Sequence, residues 1–87
     1  MMRQIRPQRG SMIPLTQLIA RVLGVPATDI QDDLGPATHA DWTSIKHLQL
    51  IVALEDNYRL SFSREEIRSF RSVGDLRRNL VGRGVAP

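Results

Sequence analysis

The sequence of 87 residues predicts an all-α fold: a four-helix bundle of three longer helices and one short one, with a long loop between helices one and two. Three observations predict it. Apolar residues recur at helical spacing in separate segments. Two of those segments open on a helix-start signature. No pair of strands, internal repeat or low-complexity stretch is legible. The length fits one small domain, in which about 60% of the unfolded surface is buried, so a single modest core is expected.

Residues 1–11 hold three arginines and little that is apolar; they are expected to be a disordered basic tail. Met12 is an alternative initiator. The folded domain should span 12–83, followed by a short tail at 84–87. Leu15, Leu18, Ile19, Val22 and Leu23 carry the first helix, from 14 to 23. Pro14 suits its first turn and Gly24 the position just beyond its end. The next stretch, "GVPATDIQDDLGPATHADWT", is a long loop with one helical turn near Thr28 to Ile30. Ile30, Leu34 and Trp42 should pin it to the core. A loop of this length in so small a domain is more often functional than not.

Residues 44–58 hold no Gly or Pro and form the longest helix, about 22 Å at 1.5 Å per residue. Ile45, Leu48, Ile51, Val52 and Tyr58 make one face, widened by Leu50 and Leu54. Thr43 and Ser44 are both credible N-caps. "SREE" at 63–66 is a capping box opening a short helix with Ile67 and Phe70. "SVGD" at 72–75 repeats the device with aspartate in the last place. It opens a final helix with Val73, Leu76, Leu80 and Val81, closed by Gly82.

The net charge of +3 is unevenly spread. The middle, 24–66, has eight acids against three basic residues, whereas 67–87 has five arginines against Asp75. A basic chain invites a nucleic-acid reading, and a small helical DNA-binding module using both basic ends is the alternative function. Those charges sit in a tail and at the chain end, which argues against it. The absence of cysteine excludes disulfides, cysteine metal sites and a protein thiol nucleophile. Two histidines without cysteine make no metal site expected. No stretch approaches the roughly 20 apolar residues of a membrane span. The basic start lacks an apolar signal core, so a cytoplasmic protein is expected.

Ser44 admits three readings. It can be a cap. With His47 and Asp41 nearby it can suggest a triad, but triads are normally assembled from separate segments beside an oxyanion hole, and all three residues lie within seven positions. It can also be an attachment point.

The wider pattern bears on the third reading. "WTSIKHLQLIVALEDNYRLSFSREEI" followed by "SVGDL" resembles the acyl carrier protein family, also called phosphopantetheine-binding or thiolation domains, over residues 14–82. That family has a serine at the start of the second helix, a hydrophobic residue after it, then "xxLxLIxxLExxF" and "TVGDL". Its "WDSL" variant maps onto Trp42, Thr43, Ser44 and Ile45. The resemblance implies a 4′-phosphopantetheine, derived from coenzyme A, on Ser44, flanked by Asp41, Trp42, Thr43 and Ile45. Acyl, aminoacyl or polyketide groups would ride on it as thioesters in fatty-acid, lipid or polyketide-type biosynthesis. The chain would then be a carrier and not an enzyme. A phosphodiester at a helix N-terminus meets free N–H groups and the positive end of the helix dipole, worth about 0.3–1 kcal/mol when exposed.

The implied partners are a phosphopantetheinyl transferase, an acyl- or aminoacyl-activating ligase and acyl-processing enzymes, acting on a monomer without a membrane partner. Lys46, His47 and Gln49 are the candidate partner surface, with His47 an exposed helix residue. Leu48, Val52, Phe62, Ile67 and Phe70 either line an acyl cleft or form ordinary core, core being the default. Trp42 should pack on the loop. The chain departs from the family in two places. Thr43 replaces the aspartate that usually precedes the serine, so modification is expected to be slower or to need a different transferase. The usual acidic second helix is also missing at its start, which points to dedicated partners over general fatty-acid synthase enzymes.

Overall fold

Helix α1 spans Leu15–Leu23 in the computed structural model, which describes residues 12–87; the tail read at 1–11 lies outside the described residues. Pro14 stands just before the helix, and its carbonyl accepts the Leu18 N–H at 3.0 Å. The helix ends at Gly24, whose left-handed φ of 74° carries no Cβ penalty in glycine. Leu15, Leu18, Ile19 and Leu23 face the core.

A 3₁₀ turn at Ala27–Asp29 interrupts the long loop, where the sequence places one helical turn. Ile30 and Trp42 are buried and Leu34 packs against the core, so the three residues read as pins act as pins. The loop's second half caps helix α4, Val73–Gly82. The carbonyl of Leu34 accepts from Val73 N at 2.8 Å, and that of Asp32 accepts from Gly74 N at 2.9 Å. Ser72 Oγ accepts the Asp75 N–H at 3.1 Å. N–H groups that a helix start leaves without partners are thus satisfied. This seating needs Gly35, because a Cβ there would lie 1.9 Å from the Arg71 carbonyl oxygen.

Helix α2 spans Ser44–Tyr58, as its composition predicts, and buries Leu50, Ile51, Leu54 and Tyr58. The sequence-based face needs correction. Ile45, Leu48 and Val52 are 68%, 58% and 65% exposed. At 3.6 residues per turn their stripe lies about 130° round the helix from the buried one; α2 carries two apolar stripes and the bundle covers one. Core, the default for Leu48 and Val52, is therefore wrong. At its far end Asn57 exchanges two hydrogen bonds with the backbone of Ile13, both 2.9 Å, which ties the approach to α1 onto α2. Glu55 accepts the Phe62 N–H at 2.9 Å and holds the turn that follows.

Helix α3 is the short one, Arg64–Ser69, with the full capping box between Ser63 and Glu66. None of its residues is fully buried. Glu66 also accepts from Asn79 at 2.8 Å and from Arg83 at 2.7 Å. These bonds, led by the Ser63 N–H and followed by Asn79 and Arg83, lower its carboxyl from 4.5 to about 2. Phe70 lies beyond α3 and meets Phe62 edge to face at 5.1 Å.

In α4, Val73, Leu76 and Leu80 are buried, but Val81 is 58% exposed and is not core. The helix is not closed by Gly82 either, which is still helical. Gly84 supplies the left-handed φ of 83°, and Val85 returns its N–H to Leu80 O at 2.9 Å and packs on the core. Two glycines two residues apart offer alternative stops, and Val85 selects the later one. Asp75 differs from a capping-box acid too: it accepts from Arg71 N at 2.9 Å and not from the cap residue itself.

Candidate functional site

Ser44 is the first residue of α2 and is exposed. It does not cap the helix. Thr43 does, its Oγ1 accepting the Lys46 N–H at 3.2 Å. Of the two candidate caps, threonine takes the role and leaves the Ser44 hydroxyl to solvent. Asp41 is exposed in the turn ahead, its N–H held by His39 Nδ1 at 3.2 Å.

Ser44 borders an open cleft of about 690 Å³ between the end of the loop, α2 and α3. Trp42 and Phe70, both buried, line its depth, with Leu48 and Ile67 on its walls and Arg68 and Arg71 at its rim. Leu48, Ile67 and Phe70 thus stand in one cleft with Ser44. Val52 does not line it, and Phe62 lies in the core under the Arg83 guanidinium. Ile45, Leu48, Gln49 and Val52 border a separate shallow groove along α2.

The largest departure from the sequence reading is His47. It is half-buried, not exposed, and it bridges three parts of the fold. Trp42 Nε1 donates to His47 Nδ1 at 3.0 Å. The other nitrogen, Nε2, lies 3.0 Å from the Ile67 carbonyl oxygen. The indole can only donate and the carbonyl can only accept. The ring is therefore neutral with its proton on Nε2, donating to Ile67. With both nitrogens engaged, no Ser44–His47 hydrogen bond forms and the triad reading has no geometry. Of the other two residues expected on a partner surface, Lys46 is half-buried like His47 and Gln49 is exposed.

Arg68 and Arg71 were not singled out from the sequence. Their spacing of three around Phe70 was the available signal. The three ion pairs among the described residues use the other C-terminal arginines: Arg77 with Asp32, Arg78 with Asp75 and Arg83 with Glu66. Arg68 and Arg71 are left as the charge beside Ser44.

The residues around Ser44 fit the phosphopantetheine that the resemblance implies. The hydroxyl is exposed, the Ser44 and Ile45 N–H groups at the start of α2 have no intrahelical partner while that of Lys46 is taken by Thr43, and Arg68 and Arg71 share the cleft. Among the described residues no cluster of three His, Asp or Glu could hold a metal ion. None of the described helices is long and apolar enough to cross a membrane.

No family model matches the chain. It is 26% identical over 61 residues to the acyl carrier protein of Acidothermus cellulolyticus, covering 70% of this chain and 73% of that one. Its fold is similar to that of a Mycobacterium tuberculosis protein provisionally described as an acyl carrier protein, with a TM-score of 0.71 and 24% identity over 78% of this chain and 90% of the other. The comparisons lend no support to the DNA-binding alternative. The relative similar in sequence is named an acyl carrier protein, and the chain shares its all-helical fold with a protein provisionally described as one.

Proposed function

We propose that the chain is an acyl carrier whose Ser44 is esterified by 4′-phosphopantetheine. The observation that carries this reading is an exposed serine at the start of α2, beside an open cleft and freed from capping by Thr43. The bound group would supply the thiol that a cysteine-free chain lacks, for acyl groups held as thioesters. The chain's own residues present the hydroxyl, offer the helix N–H groups to the phosphodiester, and set Arg68 and Arg71 against its negative charge. The domain at 12–83 would serve a transferase, an activating ligase and acyl-processing enzymes of lipid or polyketide-type biosynthesis in the cytoplasm.

Thr43 supports this reading. An N-cap needs a side-chain oxygen that accepts, and threonine and aspartate both provide one. The replacement keeps the helix start and removes one negative charge beside the serine. Slower modification is then an electrostatic effect on the transferase, and Thr43→Asp should accelerate loading without changing stability by more than a few tenths of a kcal/mol.

The partner face would consist of Lys46, Gln49 and the exposed stripe of Ile45, Leu48 and Val52. Lys46→Glu should improve acyl transfer by a general fatty-acid synthase enzyme; no gain would remove the charge argument for dedicated partners. The reading as a whole is tested by incubation with coenzyme A and a panel of transferases. It predicts a mass increase of one phosphopantetheine, lost in Ser44→Ala with helicity unchanged. No increase with any transferase would overturn it.

A further inference from the structure

We infer that the turn ahead of Ser44 is held by two neutral imidazoles and is released by acid. The chain has two histidines, and both accept from this turn through Nδ1. His39 accepts the Asp41 N–H at 3.2 Å, and His47 accepts from Trp42 Nε1 at 3.0 Å. Asp41 and Trp42 lead directly into Thr43, the cap of α2, and Ser44. The release does not depend on the carrier reading of Ser44; only its consequence for loading does.

Backbone and indole N–H groups only donate. Each Nδ1 must therefore be bare, and an imidazolium, with a proton on both nitrogens, can hold neither group. Histidine is the side chain that makes this change between about pH 8 and 5. On its other side His47 behaves differently. Nε2 lies 3.0 Å from the Ile67 carbonyl oxygen and donates to it in either state, more strongly when the ring is charged. Acid thus leaves His47 on α3 and detaches Trp42. That residue is 2% exposed, and a buried N–H without a partner is costly. The indole therefore turns toward the water of the open cleft that it lines. The His39 bond is exposed and longer, so it is the weaker hold of the two.

The charges around the pair are mixed. Asp41 is exposed in the turn, Lys46 adjoins His47 on α2, and Arg68 and Arg71 line the cleft. On α3, Glu65 is exposed and Glu66 is taken by Ser63, Asn79 and Arg83. Among the described residues no charged side chain is hydrogen-bonded to either ring, whose partners are Asp41 N, Trp42 Nε1 and Ile67 O.

The test follows the full chain by NMR from about pH 8 to 5. Imidazole nitrogen resonances report each ring, and the single indole N–H, that of Trp42, reports the turn. At the upper end both rings should show Nε2 protonated and Nδ1 bare. As His47 gains its second proton, indole N–H exchange with water should rise about tenfold, the loss of one hydrogen bond. The Ile67 carbonyl carbon should move downfield in the same step while the α3 amides stay protected. His47→Gln and His39→Asn each keep an accepting oxygen without titrating; asparagine can accept the N–H two residues on. The double variant should hold the indole signal constant across the range, and His39→Asn alone should retain the response. The opposite tautomer, a His47 ring still neutral at about pH 5, an indole signal indifferent to its titration, or an equal response in the double variant would overturn the inference. The first three outcomes are read on the unaltered chain and decide the matter even where a variant fails to fold. No transferase enters the measurement, so failure of Ser44 to load would remove the carrier reading and leave this result standing.

Discussion

The frame of α1, α2, α4 and the long loop is held differently from α3. In the frame, Leu15, Ile19, Leu50, Leu54, Val73, Leu76 and Leu80 are at most 1% exposed. Short backbone hydrogen bonds seat the loop on α4. Helix α3 buries none of its residues fully: Ile67 packs on the edge of the core, and its other attachments are polar, Glu66 to Asn79 and Arg83 and the Ile67 carbonyl to His47. Burial is non-directional and fixes a scaffold. Hydrogen bonds have defined geometry and modest net strength, and here they place one wall of the cleft beside Ser44. Ser44 thus belongs to the part held by burial, and the opposing wall of the cleft to the part held largely by polar groups.

Perturbing each region should separate the two. Leu54→Ala should cost about 2–5 kcal/mol by urea denaturation and lower the stability of every helix together. Gly35→Ala, which drives a methyl into the Arg71 carbonyl, should cost about 1–3 kcal/mol through overpacking and expose Trp42 to fluorescence quenchers. Ser63→Ala removes the α3 cap and should cost about 1 kcal/mol. Its effect should appear as faster amide exchange in α3, with the Leu54 and Leu80 amides unchanged. A loss spread evenly over all helices would contradict the division.

The smallest effect concerns acid. Glu66 titrates at about 2 in the folded chain, below its usual 4.5. A carboxyl with a lowered folded value stabilises the fold fully above its unfolded value, and that contribution is lost as pH falls from about 4.5 to about 2. Glu66→Gln should flatten this part of the stability profile, measured by urea denaturation across that range. The same slope in the variant would show that Glu66 is not its source.

Much of the scaffold was legible because local signals decided it. The Ser63–Glu66 box, Gly24 and the uninterrupted run from 44 to 58 each fix an element without reference to the rest of the chain. Trp42 could be read as a loop anchor for the same reason. What failed depended on tertiary choice. Residues around α2 are apolar on more than one side, so periodicity could not say that Leu50 and Leu54 are covered while Leu48 and Val52 are not. Val81 and Gly82 were misjudged because the stop at Gly84 depends on Val85 returning to the core. His47 was misread because its acceptor, a carbonyl 20 residues away, leaves no trace in composition. At the site, the position of Ser44 was legible, whereas its release from capping and the arginines facing it came from the fold.

The carrier account stands most directly on where a transferase acts. After incubation with coenzyme A and a transferase, peptide-level mass spectrometry should place one phosphopantetheine on Ser44, with Thr43 and Ser63 unmodified. Modification at another residue, or none on a folded chain with Thr43→Asp in place, would contradict it.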